Sequence, residues 1–181
     1  MHSIDHFLEA AASGTLPAVS IVDPHYEECS EENPQDVQQG EAFSGRIVDA
    51  VLHGAGWPGT VLIWFYDEHG GYFDHVPPPE AVEPDDVPPR DGGPWRYDRL
   101  GLRVHAVVVA PFARPDHVSS VVRDHTAVLR LIGRTWNLPP LTRRDAEADD
   151  LLDCLDLDGP PAFLTPPVLP APALGRWTSS S

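Results

Sequence analysis

Residues 60–66 read Thr-Val-Leu-Ile-Trp-Phe-Tyr, and residues 67–71 directly after them read Asp-Glu-His-Gly-Gly. The first stretch is almost continuously apolar, which is typical of a parallel-sheet strand that is buried on both faces. The switch to polar residues is abrupt. Because ligands of open α/β sheets bind beyond the carboxyl ends of the strands, this boundary is the first candidate for a functional site.

Two further strand candidates, residues 16–22 and 104–110, alternate with amphipathic segments. Helices are predicted at residues 1–12, at 36–53, from Asp124 onward and within 143–155. Gly14 is expected to end the first helix, and Asp36 and Asp124 are expected to cap the second and third. The second helix carries its apolar residues on one face. This alternation predicts an α/β fold with a mostly parallel sheet and flanking helices. Three strands are few for that architecture, so either more strands lie in the loops or the sheet is completed by sequence outside this chain.

The chain contains 21 prolines, and many of them lie in two clusters. One proline cluster, residues 76–94, lies between strand-like segments and predicts an ordered or semi-ordered surface loop. The other, residues 159–172, precedes a run of small polar residues and predicts an extended tail. We therefore expect one domain over residues 1–158 and a disordered, proline-rich tail over residues 159–181.

The charge balance is acidic, with 12 Lys and Arg against 28 Asp and Glu, a formal net charge of −16. Such a surface repels phosphate backbones, so nucleic-acid binding is not expected. No apolar run reaches the length of a membrane span, and the N-terminus carries no recognisable secretory signal. Cys29 and Cys154 are too few and too far apart to indicate a disulfide framework, and we interpret them as free thiols.

Asp67 and Glu68 form the sharpest local feature. Two adjacent carboxylates at a strand end repel one another, and a divalent cation with a preference for oxygen ligands relieves that repulsion. Gly70 and Gly71 then allow the backbone to turn closely past a bound group. The alternative is a solvated acidic turn with no bound ion.

Several of the nine histidines accompany these carboxylates. His25 follows the first strand candidate, His69 follows the acidic pair, His75 is placed to fix the turn after the glycines, and His125 begins a predicted helix. A structural role is the alternative for each. The sequence has no nucleophile elbow, Walker loop, zinc-protease motif or Cys-x-x-Cys pair, so it offers metal ligands and imidazoles without a convincing nucleophile.

Residues 66–79, Tyr-Asp-Glu-His-Gly-Gly-Tyr-Phe-Asp-His-Val-Pro-Pro-Pro, closely resemble the signature of the bacterial phosphoesterase family, which includes non-specific phospholipases C and acid phosphatases. The resemblance continues at residues 98–104, 111–113 and 124–130, and covers about residues 7–156. It implies an alkaline-phosphatase-like α/β fold and metal-assisted phosphoryl transfer to a Thr or Ser hydroxyl. It implies that Asp67 and Glu68 are metal ligands, with the identity of the divalent metal open.

Two departures from the family pattern affect this expectation. The family's N-terminal Glu-Asn-(Arg/His)-Ser-(Phe/Tyr) signature and the segment with the nucleophile have no counterpart here, so the resemblance is to the C-terminal portion only. Residues 31–34 read Glu-Glu-Asn-Pro where many members have Asp-Asp-His-Pro. Asn33 can donate a hydrogen bond to a phosphate, but it cannot titrate.

These observations predict a phosphoesterase of the phospholipase C or acid phosphatase type that is incomplete at its N-terminal side and inactive alone. His69 and His125 are the candidate catalytic imidazoles, and His25 and Asn33 are candidate substrate contacts. The expected partners are a phosphate ester, with phospholipids among the candidates, and an N-terminal half from another chain. The rival hypothesis is a degenerate, non-catalytic scaffold that binds a metal or a protein. Family members are often exported, and the compartment of this chain stays open.

Overall fold

A computed structural model describes residues 2–170 of the chain. Within them, helices combine with a small sheet in an α/β arrangement. The elements are α1 (Ile4–Ser13), α2 (Tyr26–Cys29), α3 (Val37–Leu52), β1 (Leu62–Phe65), β2 (Ala106–Val109), α4 (Thr126–Trp136) and α5 (Arg143–Glu147), with 3₁₀ turns at Trp57–Gly59 and Leu152–Cys154.

The longer helices begin and end where their sequences predict. The Asp36 carboxylate accepts a hydrogen bond from the Gln38 amide at 3.0 Å, which caps the first turn of α3. Gly14 ends α1 in the left-handed conformation, with φ +71°, and its amide donates to carbonyls of the last turn. These two helices confirm the predictions at residues 1–12 and 36–53 to within three residues at each end.

The sheet of the described residues pairs β1 with β2. The predicted strand at residues 16–22 is wrong, because this segment forms no strand in the described chain. Pro17 lacks an amide proton, and the Ile21 side chain is 86% exposed, so the segment gains neither ladder hydrogen bonds nor burial. One isolated antiparallel bridge joins Glu80 to Arg99.

The expectation that the 60–66 strand is buried on both faces is also wrong for the described chain. No residue of β1 is fully buried, and Phe65 is 38% exposed. On β2, Val107 is 47% exposed. Both strands therefore carry apolar side chains that remain accessible to solvent.

The described chain divides into two compact units, of which the first comprises residues 2–64, 108–113 and 161–170. Its core consists of Val51, Leu52 and Trp57, with Phe7, Val48, Leu62, Val109 and Phe163 packed against them. The Trp57 indole donates to the Phe163 carbonyl at 3.0 Å, and the Phe163 amide donates to the Pro111 carbonyl at 2.9 Å. The region predicted as a disordered tail begins at residue 159, and its residues 171–181 lie outside the described part.

The second unit comprises residues 65–107 and 114–160. The arginine side chains of α5 bind the proline-rich loop of this unit, and the order of the loop stays a prediction. Arg143 forms a two-bond ion pair with Asp86 at 3.0 and 3.1 Å. Arg144 donates from Nε to the Val82 carbonyl at 2.9 Å and from Nη2 to the Tyr97 carbonyl.

The last predicted helix, residues 143–155, is shorter than expected. The Thr142 and Asp145 side chains form a capping box that starts α5, and the helix ends at Glu147. The chain then runs through a pair of aspartates to the 3₁₀ turn Leu152–Cys154. Arg123 binds the Asp149 carboxylate at 2.9 Å and the Asp150 carbonyl at 2.8 Å, which favours this extended course over a continued helix.

Two further sequence predictions concern the thiols and the membrane. Cys29 and Cys154 are both free, as predicted. In the part of the chain that the structure describes, none of the helices combines the length and the apolar character needed to cross a bilayer.

Candidate functional site

The acidic pair lies immediately beyond β1, with only Tyr66 between the strand and Asp67. Asp67 Oδ1 accepts a hydrogen bond from the Glu68 amide at 3.0 Å, which turns the backbone out of the strand direction. Both side chains are exposed. The strand-end position inferred from the sequence is therefore observed, whereas the role of these carboxylates as metal ligands stays a prediction.

The next turn is closed by His69 rather than by His75. Gly70 and Gly71 adopt positive φ angles of +58° and +81°, a conformation that L side chains rarely adopt. His69 Nδ1 lies 3.1 Å from the Tyr72 carbonyl oxygen across this turn. Since a carbonyl oxygen can only accept, Nδ1 carries the proton, and Nε2 of the neutral ring is an acceptor.

His125 approaches the same strand end from the beginning of α4. Its Nε2 lies 2.8 Å from the Tyr66 carbonyl oxygen, and its ring meets the Phe65 ring edge-on at a centroid distance of 5.3 Å. The carbonyl requires the proton on Nε2, so Nδ1 of the neutral imidazole is free to accept a proton or a ligand. The structure thus joins His125 to the residue that precedes Asp67.

Asp124, which the sequence predicts to cap this helix, also binds the Thr126 hydroxyl, a contact that the sequence analysis did not predict. Asp124 Oδ1 accepts from the Thr126 amide at 2.8 Å and also from the Thr126 hydroxyl. Its other oxygen, Oδ2, lies 3.7 Å from Arg144 Nε. The Asp-x-Thr spacing at the start of a helix is the sequence signal for this arrangement. The hydrogen bonds hold the backbone at His125 in one conformation.

The loop that follows the glycine pair is anchored by Asp74. Arg103 donates from Nε and Nη2 to the two Asp74 oxygens at 2.8 Å each, and the Val76 amide donates at 3.1 Å. The hydrogen bonds from Arg103, and then the one from Val76, hold the pKa of the Asp74 carboxyl far below its ordinary value. The Asp74 side chain is only 11% exposed, so this ion pair fixes the loop at its base.

The two predicted substrate contacts, His25 and Asn33, belong to the first unit, whereas Asp67, Glu68, His69 and His125 belong to the second. His25 precedes α2, and its carbonyl accepts from the Cys29 amide at 2.8 Å. Asn33 precedes a cis peptide bond to Pro34. Both side chains are exposed, and their contact with a substrate stays a prediction.

The carboxylates at the strand end supply some of the ligands that a hard divalent cation requires. Asp67 and Glu68 supply exposed carboxylate oxygens, which Mg²⁺, Ca²⁺ and Mn²⁺ prefer. Among residues 2–170, three His, Cys or carboxylate ligand atoms lie mutually within 4.8 Å only at His117, Asp153 and Cys154. A cation at Asp67 and Glu68 therefore needs additional ligands from water, substrate or another segment.

Comparison of the sequence with known proteins identifies the family of the chain. The sequence model of the Phosphoesterase family matches residues 1–139, and the chain belongs to this family. Non-specific phospholipase C6 of Arabidopsis thaliana is 30% identical over 199 aligned positions, which cover 98% of this chain and 38% of that protein. Phospholipase C A of Mycobacterium tuberculosis is 36% identical over 132 positions, which cover 66% of this chain and 25% of that protein. The chain therefore spans roughly a quarter to two fifths of the length of these relatives.

Proposed function

We propose that this chain forms the metal-binding part of a phosphoesterase of the phospholipase C or acid phosphatase type. Family membership and the names of the relatives support phosphate-ester hydrolysis as its chemistry. We further propose that the complete domain has an alkaline-phosphatase-like fold with a mostly parallel sheet. In that arrangement, additional strands would flank β1 and β2 and helices would cover the faces of the sheet. The exposed apolar side chains on both strands are consistent with this.

One observation carries this proposal: the His125 imidazole donates to the carbonyl of Tyr66, the residue that joins β1 to the acidic pair. A strand end, two carboxylates and an imidazole are thereby brought into one region of the second unit. Asp67 and Glu68 would hold a divalent cation, which supplies charge stabilisation for the phosphoryl oxygens. Nδ1 of His125 and Nε2 of His69 are the acceptor nitrogens for a proton or a hydrogen-bond donor of the substrate.

The proposed substrate is a phosphate ester, with phospholipids first because the curated relatives are named as phospholipases C. His25 and Asn33 are proposed to contact it. Asn33 would act through its amide donor, since it cannot exchange a proton with the leaving group.

The nucleophile is proposed to come from a segment outside these 181 residues that carries the Glu-Asn signature. Several hydroxyls of the described chain are already engaged as donors. Thr60 donates to the Gly56 carbonyl at 2.8 Å, and Ser119 donates to Asp153 at 2.7 Å. The Thr126 hydroxyl donates to Asp124 beside His125. It is therefore the first hydroxyl of this chain that an experiment must test as a candidate nucleophile.

The experiment is a hydrolysis assay of the purified chain on p-nitrophenyl phosphate and p-nitrophenyl phosphorylcholine with added divalent metal. We expect no turnover from the chain alone and recovery of turnover when a segment with the Glu-Asn signature is supplied. Recovery should be abolished by Asp67→Ala. Turnover by the chain alone that is lost in both Thr126→Ala and Asp67→Ala would instead locate the nucleophile in this chain.

A second candidate function, a non-catalytic metal- or partner-binding scaffold, is favoured by the engagement of these hydroxyls. The two candidate functions predict different outcomes when the complementary segment is added. A scaffold binds metal at Asp67 and Glu68 but gains no turnover when the complementary segment associates with it.

A further inference from the structure

Three side chains of different chemistry converge in the second unit, apart from the strand-end residues. His117 Nε2 lies 3.7 Å from Asp153 Oδ2, and Cys154 Sγ lies 3.5 Å from Asp153 Oδ1. One ligand atom from each of the three residues lies within 4.8 Å of the others. An imidazole, a carboxylate and a thiol are thus gathered at one point, with Asp153 and Cys154 on the 3₁₀ turn Leu152–Cys154.

We propose that His117, Asp153 and Cys154 form a binding site for a divalent transition-metal ion of the zinc type. Tetrahedral Zn²⁺ binds nitrogen and oxygen at about 2.0–2.2 Å and sulfur at about 2.3 Å, which places neighbouring ligand atoms roughly 3.3–3.8 Å apart. The His117–Asp153 separation already falls in this range. A contraction of about 1 Å or less brings the third atom to the same spacing, and a water molecule would occupy the fourth position.

The surroundings hold the carboxylate ligand in place. Ser119 donates to Asp153 Oδ2 at 2.7 Å, and Arg123 donates to Asp153 Oδ1 at 2.7 Å. Arg123 also donates to the Ser119 hydroxyl at 2.7 Å, so the three groups fix one another. Hydrogen bonds of this kind orient metal-binding carboxylates and lower the reorganisation that binding requires.

Charge and protonation set the affinity that this site can reach. Arg123 already neutralises part of the Asp153 charge, and it also binds the carboxylate of Asp149, which adds negative charge nearby. Sulfur binds a metal as the thiolate, so the metal must displace the proton of the Cys154 thiol. With a single thiolate among its ligands, the site binds the metal less tightly than a site made of thiolates.

The chemistry of this site separates it from the proposed hydrolytic function. Asp67 and Glu68 offer oxygen only and suit hard cations, whereas a nitrogen, oxygen and sulfur set selects Zn²⁺ and Co²⁺. Asp153 and Cys154 also lie beyond residues 1–139, which the family model matches. Either site can exist without the other.

The test uses Co²⁺ as a spectroscopic probe, because a cobalt–thiolate bond gives a charge-transfer absorption in the near ultraviolet that oxygen ligands do not give. The full chain titrated with Co²⁺ should develop this band, and Zn²⁺ should abolish it. Cys154→Ser should remove the band, and His117→Gln should weaken Co²⁺ binding by about tenfold or more. Cys29→Ser and the double variant Asp67→Asn with Glu68→Gln should leave the band unchanged.

The absence of a thiolate band, or a band that survives in Cys154→Ser, would overturn the proposal. Far-ultraviolet circular dichroism of each variant identifies a loss of fold. If Cys154→Ser does not fold, His117→Gln decides the question, because its side chain is partly exposed and contributes little to the core. Unchanged Co²⁺ affinity in His117→Gln would also refute the site.

Discussion

His125 donates its Nε2 proton to the backbone carbonyl of Tyr66 across 2.8 Å, although 59 residues separate them in the chain. This contact ties the start of α4 to the end of β1. It also assigns the tautomer of an exposed imidazole, which usually exchanges between two forms.

We expect neutral His125 to carry its proton on Nε2 in solution. A long-range proton–nitrogen correlation spectrum of the imidazoles measures this directly. Substitution of Tyr66 by Phe should leave the tautomer unchanged, because the acceptor is the backbone carbonyl. A dominant proton on Nδ1 would contradict the described geometry. His69 supplies an internal comparison, since its contact with the Tyr72 carbonyl predicts the proton on Nδ1.

Metal binding at the strand end should be weak and should depend on both carboxylates. Calorimetric titration with Mn²⁺ or Mg²⁺ is expected to give an affinity that Asp67→Asn and Glu68→Gln each reduce by about tenfold or more. Neither change should lower the unfolding temperature, because both side chains are exposed. Glu80→Gln, at another exposed carboxylate of the second unit, is the control and should bind normally. Equal affinity in the wild type and Asp67→Asn would refute the site.

Acid should release the loop that Asp74 anchors. The pKa of Asp74 is depressed in the folded chain, chiefly by the hydrogen bonds from Arg103. A depressed carboxyl pKa contributes stability at pH values above the unfolded pKa of about 4, and this contribution declines as the pH falls below that value. We expect Asp74→Asn to reduce amide-exchange protection at Val76 and Arg103 at neutral pH.

The matched variant for this prediction is Asp158→Asn, an exposed carboxylate in the same unit. It should leave protection at both amides unchanged. In the wild type, the same protection should weaken when the pH falls below about 4. If Asp74→Asn retains full protection at pH 7, the ion pair does not fix the loop.

Close backbone contact between α1 and the segment after α3 makes Gly54 sensitive to substitution. A Cβ atom at this position would lie 2.3 Å from the Ala11 carbonyl oxygen, which is a steric overlap with backbone. We expect Gly54→Ala to lower the free energy of unfolding by about 1–3 kcal/mol, as overpacking does elsewhere. Urea unfolding monitored by tryptophan fluorescence provides the measurement.

Gly59→Ala is the paired control, because an added Cβ there meets no heavy atom within 4 Å. Its effect on the free energy of unfolding should stay within about 0.5 kcal/mol. If Gly54→Ala were as stable as Gly59→Ala, helix α1 and the segment after α3 would be able to move apart at little cost in free energy.

The features that the sequence predicted correctly are local ones. The Asp36 cap, the Gly14 stop and the apolar stripe of α3 are each encoded within a few residues. The acidic pair after β1 was identified in the same way. The family resemblance, carried by residues 66–79, pointed to the phosphoesterase class before any geometry was known.

The features that escaped prediction depend on distant parts of the chain. Residues 16–22 have the composition of a strand. A strand forms only when a neighbouring strand pairs with it, and the local sequence does not show whether such a neighbour exists. The contacts of Asp74 with Arg103 and of His125 with Tyr66 span 29 and 59 residues. The convergence of His117 with Asp153 and Cys154 has the same origin, since its members are far apart in sequence and carry no spacing signature.

The packing of Phe163 against the core of the first unit has a consequence for the order in which the two units fold during synthesis. Helices α1 and α3 are synthesised before the second unit. Val109 and Phe163 can pack on Val51, Leu52 and Trp57 only after much or all of the second unit has been synthesised. The second unit, residues 65–107 and 114–160, is complete before Phe163 appears. Helices α1 and α3 must therefore expose an apolar face until Phe163 has been synthesised, and the first unit closes after the second unit is complete.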